Sequence, residues 1–236
     1  MIRSSIEVLD RHYAEALGCT VEDLNSGKLI VVGNDMHKID FAKDVPLALF
    51  AFTRRSGGVV SVKPCLVGEV ERAMAGASEL DDPTCVAVRH AVSGLVEAEV
   101  WFLGARLCCD PGSFVDKTAG TIREVTREDA YASRLHGKWG GPVFGCIEDG
   151  LVVSWAAVNP LSDIVWDISV ETLPEYRGRG CAKSAVSAAL QFIFDNGKLA
   201  AWGCDRTNAA SLATARSLGF QDYALEFGCV EKTAGQ

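Results

Sequence analysis

The sequence has no apolar run of about 18 residues and no basic-then-apolar opening. It is therefore expected neither to insert into a membrane nor to be secreted. C-x-x-C pairs and closely spaced histidines are also missing, and the nine cysteines are odd in number and scattered. A disulfide framework or a zinc site needs regular pairs, so neither is expected, no metal ligand is assigned, and the reducing cytoplasm is the expected location. Adjacent Cys108 and Cys109 read as packing residues. A basic surplus is absent too: 23 lysines and arginines face 31 acidic residues, for a net charge of −8, and acid exceeds base in both halves. Nucleic-acid binding asks for a basic face, so no nucleic-acid partner is expected. Apolar residues make up 48% of the 236 positions. That suffices for a core in one large domain or two small ones.

The most informative stretch is Tyr176-Arg-Gly-Arg-Gly-Cys-Ala-Lys183. It follows an extended apolar run, Ile164 to Thr172, and opens a segment of helical period with Val186, Ala189, Leu190 and Ile193 on one face. Strand, glycine-rich turn and helix point several backbone N–H groups at one spot, at the positive end of the helix dipole. Gly178 and Gly180 let a bulky anion approach the main chain, and Arg177, Arg179 and Lys183 add positive charge. The stretch reads as a diphosphate cradle. Two familiar nucleotide patterns fail here. A P-loop needs glycine where Ala182 and Arg177 stand, and the dinucleotide fingerprint needs a small residue where Lys183 stands.

Arg177-x-x-Gly180-x-Ala182 does resemble the acetyl-CoA signature of the GNAT superfamily of N-acetyltransferases. A second segment, Trp202 to Phe220, is similar to that family as well: a strand, then Asn208-x-x-Ser211, then a short helix ending in Leu218-Gly219-Phe220. The two motifs stand in the family's order, 31 residues apart from Arg177 to Asn208. The resemblance covers about the second half of the chain. It implies an acetyl transfer from acetyl-CoA, as co-substrate, to a primary amine of a small molecule or peptide. Backbone groups at Val170 and Thr172 would pair with the pantetheine arm. Amides of Gly178, Arg179, Gly180, Cys181, Ala182 and Lys183 would hold the diphosphate, with Arg177 fixing the turn or touching the cofactor. Asn208 and Ser211 would lie near the reacting end, and backbone N–H groups there would stabilise the oxyanion. Two family features are missing. Many members carry a proton-donating tyrosine seven residues after the asparagine, where this chain has Ala215. Some carry a glutamate five residues before it, where this chain has Gly203. The alanine-bearing motif resembles a sub-branch often found with an extra N-terminal domain.

The expected fold class is α/β: a GNAT fold of mixed, mostly antiparallel sheet with flanking helices, preceded by a smaller α/β N-terminal domain. The turn-rich stretches Asp110-Pro-Gly-Ser113 and Thr118-Ala-Gly120 place a boundary near 110–120, giving domains 1–117, of unassigned role, and 118–236. In the second, strands are expected at 122–126, 143–146, 151–158, 164–172, 199–204 and 223–230, with Arg127-Glu-Asp129 opening a short helix. In the first, strands are expected at 28–32, 47–52, 59–62 and 99–108. A helix carries Val67, Val70 and Met74, and another has Pro83 in its first turn and Asp82 as its cap. No motif there marks a duplicate of the acetyltransferase unit.

Each further candidate has a plainer reading beside the chemical one. Glu171, beside the cradle, is the one catalytic candidate, as a general base, or simply faces solvent. Asp205 and Cys204 end a strand aimed at the expected site, or serve as cap and packing. Tyr223 is a proton donor or a core tyrosine. His136, in the short segment that normally meets the acceptor, binds substrate or is a surface loop residue. Arg54-Arg55 reads as a solvated hairpin tip. The N-terminal domain is expected to complete the acceptor pocket, and a homo-oligomer is compatible with the sequence. The rival to an enzyme is a catalytically silent acetyl-CoA-binding or regulatory module, encouraged by Ala215 and Gly203.

Overall fold

The computed structural model describes residues 3–35, 47–54, 56–126, 129 and 138–232. They form two compact units, Ile6–Arg106 with Tyr223–Gln236, and Met1–Ser5 with Leu107–Asp222. The units are not contiguous halves. The chain passes from one to the other at 106/107, ahead of the turns read as a boundary, and the last strand returns to the front residues.

The first unit opens on helix α1 (Arg3–Leu17) and one turn of helix, α2 (Val21–Leu24). Thr20 and Asp23 form a reciprocal capping box there. Strands β1 (Leu29–Gly33), β2 (Leu47–Thr53) and β3 (Gly58–Val62) follow, then helices α3 (Val67–Ala73) and α4 (Asp82–Ser93) and the long strand β4 (Ala98–Cys109). Strand order is β1-β3-β2-β10-β4, where β10 is Gln221–Glu231. β1 and β3 are parallel, while β2 runs antiparallel to both β3 and β10. Leu49, Val60, Val62, Val70, Val88, Val92 and Phe227 form its apolar core. The cap of α4 is Asp81 rather than Asp82, because its carboxylate reaches the Thr84 N–H at 2.9 Å. Asp82 and Pro83 are the first helical residues.

Arg54 is no solvated tip. Its guanidinium bonds to Asp10 and Asn25 and covers the Tyr223 ring at 4.7 Å, and Tyr223 Oη donates to Asp10 Oδ1 at 2.7 Å. Asp10 is buried, and a buried carboxylate is costly unless such partners satisfy it. Arg55 lies outside the described residues, as do Arg127 and Glu128 of the expected short helix.

In the second unit β5 (Thr121–Glu124), β6 (Val143–Glu148), β7 (Leu151–Pro160) and β8 (Val165–Thr172) form an antiparallel meander. Asp149 (φ 49°) and Gly150 (φ 79°) turn β6 into β7, the two left-handed positions a tight hairpin demands. Helix α5 (Cys181–Asp195) then crosses over to β9 (Leu199–Asp205), which pairs parallel with β8. Strand order is β9-β8-β7-β6-β5. Val186, Ala189, Leu190 and Ile193 are all fully buried, as their period requires. Helix α6 (Ala209–Ser217) follows β9. Both helices end in the same cap. Gly197 and Gly219 are left-handed, with the following N–H groups bonded back, Lys198 to Ile193 and Phe220 to Ala215.

The stretch around the expected boundary at 110–120 is tied to α5 and α6. The N–H groups of Lys117 and Ala119 donate to the buried hydroxyls of Ser187 and Ser184, at 2.9 and 3.1 Å. Val115 N–H donates to Leu218 O at 3.0 Å. Cys108 and Cys109 are fully buried, and burial first of all pushes the Cys109 thiol up to about 11. No helix among the described residues is long and apolar enough to cross a membrane.

Candidate active site

Parallel pairing between β8 and β9 covers only Val165–Asp167 against Leu199–Ala201. Beyond Asp167 and Ala201 the strands part, and a cleft of about 740 Å³ opens between the end of β8, the turn into α5, and the β9–α6 segment. Every cofactor candidate read from the sequence lines it: Val170, Thr172, Arg177 to Lys183, Asn208 and Ser211. Glu171 also lines it and is solvent-exposed. Tyr176, Trp202, Ala210 and Thr214 complete the wall. The sequence reading gave these four no role, because none falls on a motif position.

The cradle has a definite geometry. A short 3₁₀ turn, Pro174–Tyr176, leads out of β8, and Arg177 Nε reaches back to the Thr172 carbonyl at 3.3 Å, closing the loop on itself. Gly178 and Gly180 have φ of 77° and 91°, a region side chains enter only with strain. A Cβ at either would meet no protein atom within 4 Å. The glycines are therefore needed for backbone shape and for whatever approaches from the cleft. The N–H groups from Gly178 to Lys183 donate to no protein acceptor among the described residues. They face the cleft at the positive end of α5, an arrangement suited to an anion.

Glu148, at the end of β6, stands beside the cradle without any sequence signal for it. Arg179 lies over the Tyr176 ring at 4.9 Å and 3.4 Å from Glu148 Oε2. At this exposure such a pair contributes at most about 1 kcal/mol, so a phosphate can recruit Arg179 at little cost. The Cys181 thiol donates to Glu148 Oε1 at 3.3 Å. Burial first, then Glu148 and Cys146, push that thiol up to about 12, so it is protonated at neutral pH and is no nucleophile.

β8 presents alternate main-chain groups to the cleft. Leu173 N–H bonds to Val153 O of β7, so by alternation Ser169 and Glu171 also face β7, and Val170 and Thr172 face the open side. Across the cleft, Asn208 Oδ1 accepts the Ser211 N–H at 3.1 Å and caps α6. Its amide NH₂ is therefore left to donate elsewhere.

The remaining candidates separate from the cleft. The Asp205 carboxylate accepts from Thr207 N–H (2.7 Å) and Oγ1 (2.6 Å), bonds that hold it below the usual carboxylate range. It shapes the turn before α6. Cys204 is half-buried and does not line the cleft. Tyr223 is bound to Asp10 in the first unit and is a core tyrosine, as described above. Ala215 is fully buried and Gly203 is exposed. His136 lies outside the described residues.

Comparison with known proteins agrees with this geometry. The sequence model of the family described as GNAT acetyltransferase matches residues 140–224. The chain is 38% identical over 55 residues to a protein of Bacillus subtilis (strain 168) described as uncharacterized N-acetyltransferase YdfB, a match spanning 23% of this chain and 21% of that one. A putative GNAT-family acetyltransferase from Novosphingobium aromaticivorans DSM 12444 superposes with a TM-score of 0.50 at 22% identity, over 59% of this chain and 68% of its own. A GCN5-related N-acetyltransferase-like protein from Streptococcus suis 89/1591 gives 0.51 at 16% identity, over 96% of this chain and all of its own. At these identities the two crystal structures speak for the fold. The cleft between β8 and β9 and both of its motifs fall inside residues 140–224, the stretch that matches the GNAT acetyltransferase family model.

Proposed function

We propose that the protein is an acetyl-CoA-dependent N-acyltransferase that moves an acetyl group to a primary amine. The observation that carries this reading is the run of N–H groups from Gly178 to Lys183 that have no protein acceptor among the described residues, opening on the same cleft as the end of β8. The diphosphate of CoA fits that run. Arg179 and Lys183 add charge, while Arg177 holds the turn through Thr172. Pantetheine would lie along Val170 and Thr172, receiving the Asn208 amide from the opposite wall. With the thioester in the splay, the amine nitrogen attacks the carbonyl carbon, the C–S bond breaks, and thiolate leaves as the ammonium proton passes to water.

Ligand binding to the native state alone should stabilise it by about 2.7 kcal/mol at a hundredfold excess over Kd. For a chain of this size that is roughly 5–10 °C in Tm. A thermal melt with acetyl-CoA should show this, and with ATP clearly less. A folded sample with no shift at millimolar acetyl-CoA overturns the reading. Turnover of acetyl-CoA against a panel of amines then separates an enzyme from a silent binding module, the alternative that Ala215 and Gly203 favour.

With no proton-transferring side chain at either usual acid–base position, Glu171 remains as the candidate base, at the exposed mouth of the cleft. Positioned acid–base groups contribute about 10²–10⁴-fold. Water can instead take the ammonium proton directly, so Glu171→Gln should reduce kcat by less than about tenfold, below that range. A loss of a hundredfold or more with CoA binding intact would make Glu171 the base.

A further inference from the structure

We infer that Glu148 competes with the diphosphate of CoA for Arg179, and so limits how tightly CoA is held and how long it stays. The inference rests on the acetyltransferase reading above and adds to it a residue that sets cofactor affinity and release.

Helix α5 has no side-chain cap and no acidic residue in its own first turn. The helix itself therefore brings no negative charge to its positive end. Glu148 brings one from another element, as the last residue of β6. Its two oxygens are divided between two partners. Oε1 accepts the thiol of Cys181, the first residue of α5, at 3.3 Å. Oε2 lies 3.4 Å from Arg179, whose guanidinium also covers the Tyr176 ring at 4.9 Å. Tyr176, Arg179 and Cys181 all line the cleft. A protein carboxylate is thus seated against the helix start and the cation that an incoming diphosphate would use.

The two partners are unequally held. Cys181 is 4% exposed and fixes Glu148 from the buried side, whereas the Arg179 side chain is 55% exposed and is the one that can move. A diphosphate in the cradle must draw Arg179 away from Glu148 or share the guanidinium with a second anion. Either outcome lowers affinity. An ion pair this exposed is worth at most about fivefold in an equilibrium constant, which sets the size of the effect. Acetyl-CoA and CoA carry the same diphosphate, so both are held less tightly. For the product that means faster departure, the step that limits turnover in many enzymes.

The test needs no acceptor amine: calorimetric titration with CoA, and stopped-flow measurement of CoA dissociation. Glu148→Gln keeps an amide oxygen for the Cys181 thiol but loses the charge. It should bind CoA about three- to fivefold more tightly, with most of the gain in slower dissociation. Glu148→Ala should show the same gain, and serves if the glutamine variant does not fold. Arg179→Met should itself weaken CoA binding. In that background Glu148→Gln should gain less than about twofold, because the contested cation is gone. Affinity that is unchanged or weaker without the Glu148 charge overturns the proposal. So does a gain of equal size with and without Arg179, which would mark a general effect of charge and no contest for this arginine. Failure of the unchanged protein to bind CoA would instead sink the acetyltransferase reading on which this one rests.

Discussion

Replacing Gly180 with aspartate should reduce CoA affinity by at least about a hundredfold, since each 1.4 kcal/mol is tenfold. The new carboxylate would stand where the N–H groups from Gly178 to Lys183 converge. Two unit charges about 4 Å apart repel by about 4 kcal/mol at an effective dielectric of 20, more than that loss requires. The fold should survive. The Cβ would meet no protein atom within 4 Å, and the cost of φ 91° for a non-glycine residue is about 1–3 kcal/mol. Part of this is returned, because a carboxylate before α5 suits the helix dipole. Calorimetric titration with CoA, alongside a melt of the free protein, separates the two effects. Gly180→Ala, which adds bulk without charge, should lose less affinity than Gly180→Asp. Unchanged affinity in Gly180→Asp would mean that the diphosphate binds elsewhere.

The second large effect concerns a buried ion pair of the first unit. Arg106 and Glu226 are 2% and 4% exposed, with Arg106 Nε donating to Glu226 Oε1 at 2.6 Å. Arg106→Met should destabilise the protein by about 3–5 kcal/mol, because it leaves a buried carboxylate without its cation. That corresponds to a Tm fall of roughly 6–20 °C. Adding Glu226→Leu should recover much of the loss, since an apolar pair of similar volume is often as stable as a buried ion pair. Denaturant melts of the two single variants and the double variant measure the coupling directly. A loss below about 1 kcal/mol in Arg106→Met would show that Glu226 is not held by this arginine.

The signals that could be read along the chain are those whose physics is local. Gly178 and Gly180 announce left-handed backbone, the Val186–Ile193 period announces the buried face of α5, and Asp149-Gly150 announces a hairpin. Asn208-x-x-Ser211 announces a cap, and Leu218-Gly219-Phe220 turns out to be the chain reversal that ends α6. Each needs only its near neighbours, so their order along the chain sufficed to place the cofactor candidates around one turn and one helix start.

What the chain could not announce are the pairings that close over long separations. Tyr223 could be read as a proton donor, though a strand tyrosine more often packs in the core. Its bond to Asp10, 213 residues away, makes it a core residue, and the same carboxylate takes Arg54 from solvent. The turns at 110–120 read as a boundary, and only the structure shows Lys117 and Ala119 bonded to Ser187 and Ser184, more than 60 residues on.

By itself, then, the sequence determined the cradle, its helix and the two family motifs, because glycine conformation, helix period and capping act over a few residues. Tertiary structure alone decided that β10 lies between β2 and β4, that Glu148 stands beside Arg179, and that the Trp202 N–H bonds to Ser211 Oγ. These depend on which distant surfaces bury each other and which buried polar atoms must then be satisfied, and no short stretch of sequence contains that information.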